Sequence, residues 1–151
     1  MINWGIIGPG EIARVFCNGL RFSKTGQARA VASRNPEKAS AFASLFSVPT
    51  VHDSYDQLLA DDAVDVVYIA TINSAHLDLV IQAAAAGKHI LVEKPMGLNH
   101  REVAAMIEAA RSNDVFLMEA FMYRCHPQMQ QLAASIQDGA IGDVQVVQSD
   151  F

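Results

Sequence analysis

The chain has little cysteine, little positive charge and no long apolar run, and each scarcity removes a class of protein. Two cysteines, Cys17 and Cys125, stand far apart in 151 residues. They form no C-x-x-C pair and no disulfide framework, and read as buried or half-buried thiols in a reducing compartment. Eleven Lys and Arg against sixteen Asp and Glu leave a net charge of −5. No broad positive field is available for nucleic acid or an anionic membrane. Neither half compensates: residues 1–75 carry six cations against seven acids, and the rest five against nine. No run of 18 apolar residues offers a transmembrane helix. The apolar start, Trp4 to Ile7, is too short for a signal-peptide core and has no cationic lead-in. A cytoplasmic location is the simplest expectation. Hydrophobic residues at 51% against 18% charged exclude a disordered chain.

What is present is an alternation of short apolar runs with amphipathic stretches. Strands are expected at Ile2 to Ile7, Ala28 to Ser33, Val48 to Val51, Val64 to Ala70, His89 to Val92, Val115 to Met118 and Val144 to Gln148. Helical spacing fills the intervals. Asn35 and Pro36 start one helix as N-cap and first residue. Ser54 with Gln57, and Asn99 with Glu102, read as capping boxes. Ser74 is expected to cap the helix carrying Leu77, Val80, Ile81 and Ala84, which Gly87 stops. Pro127 to Gln137 reads as a last helix. Strands alternating with helices give parallel β-α-β units and a doubly wound α/β sheet. In such a sheet the functional residues follow the carboxyl ends of the strands.

Gly8-Pro9-Gly10-Glu11-Ile12-Ala13 follows the first strand and matches G-x-G-x-x-A. Gly8 permits the turn, Gly10 admits a pyrophosphate close to the backbone, and Ala13 lets helix and strand touch. The following helix offers free N–H groups and partial positive charge to phosphates. Gly8, Gly10, Glu11 and Ile12 are therefore candidate dinucleotide contacts. After the second strand no carboxylate stands ready for a ribose 2′-hydroxyl. Ser33, Arg34 and Lys38 are there instead, which favours NADP over NAD, the second choice. The plainer reading of Arg34 is a solvated loop cation. Thr71, Asn73 and His76 follow the fourth strand and are candidate contacts at the ribose and nicotinamide end, although His76 also suits a plain cap-region histidine. Glu93-Lys94-Pro95 follows the fifth. Lys94 can hydrogen-bond a hydroxyl or carbonyl oxygen and assist proton transfer, with Glu93 orienting it or bonding the cofactor; a surface ion pair before a turn is the plainer reading. No metal site is expected.

Together these residues resemble the Gfo/Idh/MocA oxidoreductases (glucose–fructose oxidoreductase, inositol dehydrogenase and relatives). The Glu93-Lys94-Pro95 tripeptide is that family's hallmark. The glycine turn, Asp65-Val66-Val67-Tyr68-Ile69-Ala70-Thr71, Ala86-Gly87-Lys88-His89-Ile90-Leu91-Val92, and Glu119 through Pro127 are also similar to it. The last stretch is most like the dihydrodiol dehydrogenase, xylose dehydrogenase and anhydrofructose reductase branch. Ile72 departs from the family's usual Pro after the loop threonine.

The resemblance implies a Rossmann-type dinucleotide-binding domain over residues 1–122. It makes residues 123–151 a linker helix and first strand of a truncated second α+β domain. It implies hydride transfer between NADP and a sugar, polyol or dihydrodiol, with Lys94 catalytic and a cis Lys94-Pro95 bond. Arg124 and His126 become substrate-side candidates, with linker packing as their alternative. The full-length parent is expected to be a homo-oligomer acting on a small molecule. The rival class is a non-catalytic, cofactor-sensing or protein-binding module of the same fold.

Overall fold

The computed structural model describes residues 1–149. Six parallel strands, β1 (Ile2–Ile7), β2 (Gly26–Ala32), β3 (Thr50–His52), β4 (Val66–Ile69), β5 (His89–Val92) and β6 (Leu117–Glu119), form one sheet in the order β3-β2-β1-β4-β5-β6. The helices between them are α1 (Glu11–Leu20), α2 (Pro36–Phe46), α3 (Tyr55–Leu59), α4 (His76–Ala85) and α5 (His100–Ser112). The order reverses direction at β1 and β4. This is the switch point at which a doubly wound sheet opens a crevice beyond its strand ends.

Side-chain alternation divides the core into two layers. Ile6, Val31 and Tyr68 point to one face and pack with Ala13 and Cys17 of α1 and Phe42 and Ala43 of α2. Their neighbours Ile7, Ala30, Ala32, Val67 and Ile69 point to the other. There they meet Leu58 of α3, Leu79, Val80 and Ala83 of α4, and Met106 of α5. Both faces are covered, which is why the strands read as nearly continuous apolar runs. Each fully buried Ile, Val or Leu contributes roughly 1.5–3 kcal/mol against exposure. Burial also pushes the Cys17 thiol up to about 11, so it stays protonated at neutral pH. Cys17 is buried, Cys125 is exposed, and both are free.

The capping residues act much as the sequence implies, with three differences. Asn35 Oδ1 accepts from the Lys38 N–H, and Pro36 opens α2. Ser54 Oγ accepts from Gln57 N–H, but Gln57 reaches back to the Asp53 N–H, one residue further than a capping box requires. Asn99 Oδ1 takes the Arg101 and Glu102 N–H groups, while the Glu102 carboxylate takes the Leu98 N–H. Ser74 is no helix cap. It lies inside a 3-10 turn, Asn73–Ala75, and α4 starts only at His76, with Ala75 ahead of it and no side-chain cap.

Residues 121–149 belong to a second unit. It holds a 3-10 turn, Met122–Cys125, and a helix α6 (Pro127–Gln137). The strand expected at Val144 to Gln148 is not formed. A strand needs a neighbour for its N–H and C=O groups, and among the described residues this unit contains no other strand. Its Val146 and Val147 are exposed. Among the described residues, no helix is long and apolar enough to cross a membrane.

Candidate functional site

The carboxyl ends of β1, β2, β4 and β5 carry the residues expected to be functional, and they are built in two different ways. At the end of β1 the work falls to the backbone. Gly8 has φ +87°, and a Cβ there would stand 2.8 Å from the Ala70 carbonyl oxygen. Only glycine both adopts that conformation without strain and admits β4 so close. The Gly8 N–H donates to the Ala32 carbonyl at 3.2 Å, tying the turn to β2. Gly10 is the N-cap of α1 and supplies no side-chain cap. A Cβ on Gly10 would meet no atom within 4 Å. The first-turn N–H groups of α1, those of Glu11, Ile12 and Ala13, lie beside this open position and have no intrahelical partner. This arrangement fits the pyrophosphate of a dinucleotide. Ala13 is fully buried, as close contact of α1 with the sheet requires.

At the end of β2, Ser33 is buried and its Oγ accepts from the Asn35 N–H at 3.1 Å. Arg34 and Lys38 are exposed. Among the described residues, neither side chain enters an ion pair. Two cations and a hydroxyl with spare donor capacity follow β2, the position that reads the ribose 2′ substituent, and among the described residues the nearest carboxylate in sequence, Glu37, lies within the first turn of α2.

At the ends of β4 and β5 the construction passes to side chains. Glu93 is buried. One carboxylate oxygen accepts from the Tyr68 hydroxyl at 2.5 Å, and the other from the backbone N–H of Lys94 at 3.2 Å. Burial, then the hydrogen bond to Glu93, push the Tyr68 phenol well above its ordinary value, so it remains a donor. The Lys94-Pro95 bond is cis. The Met96 N–H donates to Glu119 Oε1 at 2.8 Å, which anchors the same loop to β6. The Lys94 side chain is exposed. The Glu93–Lys94 ion pair does not form: among the described residues, the one salt bridge joins His52 to Asp61. Glu93 spends its oxygens on Tyr68 and on the main chain, so it fixes where Lys94 begins and leaves the ammonium unpaired.

His76 is a correction. Sequence position suggests a direct cofactor contact or a surface cap. Instead the ring is fully buried and both nitrogens face backbone carbonyls: Nδ1 those of Pro95 (3.1 Å) and Met96 (3.2 Å), Nε2 that of Thr71 (3.2 Å). It has no face left for a ligand. Thr71 and Asn73 do lie at the sheet edge, Thr71 half-buried and Asn73 exposed in the 3-10 turn. Tyr68 and Glu119 brace the loop after β5, and sequence reasoning misses both. The available signals were a lone hydroxyl inside an apolar run and a carboxylate ending β6. In the second unit, Arg124 lies exposed in the 3-10 turn, and His126 caps α6, its Nδ1 accepting from the Gln128 N–H at 3.2 Å. Among the described residues, no cluster of His, Cys, Asp and Glu has the arrangement of a metal site.

Comparison with known proteins agrees with this geometry. Residues 2–121 match the family profile described as "Oxidoreductase family, NAD-binding Rossmann fold". The chain is 42% identical over 152 aligned residues to a trans-1,2-dihydrobenzene-1,2-diol dehydrogenase of Mus musculus, covering 99% of this chain and 46% of that protein. It is 37% identical to the enzyme of the same name from Xenopus laevis, covering 98% and 46%. Thus the chain spans about half the length of the curated relatives it matches. Among solved structures it is similar to KijD10, a 3-ketoreductase from Actinomadura kijaniata in complex with NADP and TDP-benzene. The TM-score is 0.85 at 33% identity, covering 94% of this chain and 44% of that one. A putative myo-inositol dehydrogenase from Sinorhizobium meliloti superposes at a TM-score of 0.88 with 30% identity, covering 96% and 44%. With that profile matched across its whole sheet, and with the glycine turn and the Glu93-Lys94-Pro95 loop on one sheet edge, this chain belongs to the Gfo/Idh/MocA oxidoreductase family.

Proposed function

We propose that the chain is the NADP-binding half of an oxidoreductase that interconverts an alcohol and a carbonyl on a sugar, polyol or dihydrodiol. The observation that carries the reading is Lys94. Its backbone is fixed by Glu93 and its amine is free, on the same sheet edge as the glycine turn. A bound nicotinamide would supply or accept the hydride at C4. The Lys94 ammonium donates to the substrate oxygen, polarises a carbonyl, and delivers the proton that makes it an alcohol; in the reverse direction the neutral amine takes that proton back. The Gly8–Ile12 turn holds the pyrophosphate, and Ser33, Arg34 and Lys38 take the 2′-phosphate. Thr71 and Asn73 border the nicotinamide end. Residues 123–149 are read as the linker into a substrate domain, with Arg124 and His126 as its first substrate-side candidates. The similarity to a dihydrodiol dehydrogenase and to a ketoreductase crystallised with NADP supports both the cofactor and the substrate class.

The test is Lys94→Ala in the full-length parent, screened over aldoses, inositols and dihydrodiols with NADP. Turnover should fall by roughly 10²–10⁴, the range for a positioned acid–base group. NADPH affinity, read by fluorescence titration, should stay within about threefold, below the 1.4 kcal/mol of a tenfold change. An unchanged kcat would remove Lys94 from the chemistry.

A further inference from the structure

We propose that a cleft at the amino ends of the strands is a second binding site, for a small organic carboxylate with an apolar body. It is independent of the cofactor reading. It lies at the start of β2, and the rise of that strand puts it about 20 Å from the opposite sheet edge. Its volume is about 310 Å³, at the lower end of the range for small-molecule sites. Leu20 at the end of α1, Phe46 at the end of α2 and Ala28 of β2 give it apolar walls; Arg21, Ser23 and Ser47 give it polar groups. None of the ten residues lining it is acidic, in a chain of net charge −5, so the side-chain charge of the cleft is that of Arg21 alone.

Arg21 sets the charge of the ligand. Its guanidinium carbon sits 5.0 Å from the centroid of the Phe46 ring, and one Nη donates to the Leu45 carbonyl at 2.8 Å. Among the described residues it has no acidic partner. The plainer role, a cation closing the carbonyl end of α2, uses one N–H of five, and a lysine would fill it. The two contacts hold the guanidinium in place and leave an edge of two N–H groups unspent, which matches a carboxylate. The carbonyl ends of α1 and α2 also meet here. Those of Cys17, Gly19 and Leu20 are taken by the N–H groups of Arg21, Phe22 and Ser23, and those of Ala43 and Leu45 by Val48 and Arg21, so little of their negative charge is left to face a ligand. Two hydroxyls add donors. Ser23 Oγ accepts from the N–H groups of Thr25 and Gly26, while its own proton has only Thr25 Oγ1, at 3.5 Å, too far for a good bond. Ser47 ends α2 at φ +56°, where glycine is the usual residue, and its exposed hydroxyl has no hydrogen-bond partner among the described residues. An apolar body on the ligand would cover Leu20 and Phe46 and keep water from the ion pair, which a bare anion cannot do.

The chain has one tryptophan, Trp4. Its Nε1 would stand 2.8 Å from a Cβ on Gly26, in the cleft wall, so its fluorescence reports occupancy. The experiment titrates the 151-residue chain with cyclohexanecarboxylate and with the neutral cyclohexanecarboxamide, and maps the carboxylate by amide shifts in NMR. The carboxylate should saturate with a Kd on the order of 1 mM, and the carboxamide should bind at least about tenfold more weakly, as the loss of a charge-assisted bond requires. The shifts should fall on residues 20–28 and 46–47. Arg21→Gln, which can still donate to the Leu45 carbonyl, should reduce the carboxylate to the affinity of the carboxamide. Ser47→Gly should hold or raise the urea midpoint and weaken the carboxylate about threefold. Should Arg21→Gln fail to fold, the difference between the two probes and the Ser47→Gly result decide. No saturation, equal affinity for the two probes, shifts centred on Gly8–Ala13, or inorganic phosphate binding as tightly as the carboxylate would each overturn the proposal.

Discussion

The two ends of the proposed cofactor site are made from opposite materials. After β1 and β2 the site is main chain and small residues: a glycine at positive φ, a glycine cap, the open N–H groups of α1, and exposed cations with no ion-pair partner among the described residues. After β4 and β5 it is a set of interior polar side chains, buried Tyr68, His76 and Glu93 with half-buried Glu119; Tyr68 braces Glu93, and the other three bond the backbone around one exposed amine. On the proposed reading the first end meets the pyrophosphate that every dinucleotide shares and the 2′-phosphate that only NADP carries, for which partial charge, close approach and exposed cations are enough. On the same reading the second must place a single reacting nitrogen, which needs a rigid support behind it. A substitution at the first end should therefore change affinity, and one at the second should change geometry or stability.

The largest effect is expected at the first end. Gly10→Val puts a branched side chain into space where a Cβ meets nothing, so the fold should persist while the pyrophosphate cradle closes. NADPH affinity should fall about 100-fold or more, roughly 3 kcal/mol, by fluorescence titration. Unchanged affinity would move the phosphate site elsewhere. Arg34→Ala should weaken NADPH by roughly 1.5–3 kcal/mol, the value of a charge-assisted hydrogen bond, and leave NADH almost untouched. Equal losses for the two cofactors would mean that Arg34 stacks on adenine and does not read the 2′-phosphate.

At the second end, Tyr68→Phe strips a donor from the buried Glu93 carboxylate. Stability in urea should drop by about 1–3 kcal/mol, with affinity for adenosine 2′,5′-bisphosphate, which carries only the adenine and phosphate end of NADP, held. A neutral result would show that water replaces the phenol and that the support is looser than described. The smallest effect lies away from both ends. The Ala63 N–H, then the His52 ring, hold Asp61 below its ordinary 3.8. A lowered carboxylate value gives stability that is present above 3.8 and is lost as pH falls through the folded value. The pair is partly exposed, so the difference between the chain and Asp61→Asn should be under about 1 kcal/mol at pH 7. It should vanish in strong acid. A difference that persisted there would belong to packing.

The same contrast decides what could be read from sequence. The first end carries a local signature: the spacing of Gly8, Gly10 and Ala13 and the Asn35-Pro36 pair is short in sequence, and the structure places them as that spacing implies, although Gly8 also meets Ala32 and Ala70 across the sheet. The alternation of apolar runs likewise yields the doubly wound sheet, because both of its faces are covered. The second end is assembled from partners 19 to 25 residues apart: Tyr68 with Glu93, His76 with Pro95 and Met96, Glu119 with Met96. No local pattern announces such pairs. For that reason Glu93 suggested a group that orients Lys94 or bonds the cofactor, with an ion pair as the plainer reading, and His76 a ligand contact or a cap-region histidine. The strand expected at Val144 to Gln148 failed for a related reason. Its apolar residues fit a strand, but the ladder that would make it one requires a second segment.

The central claim is that this chain's sheet edge holds NADPH, and the most direct test is a fluorescence titration of the unaltered 151-residue chain. The account predicts saturable one-to-one binding, with NADH weaker than NADPH. An absence of saturation up to millimolar NADPH, in a chain shown by circular dichroism to be folded, would contradict it.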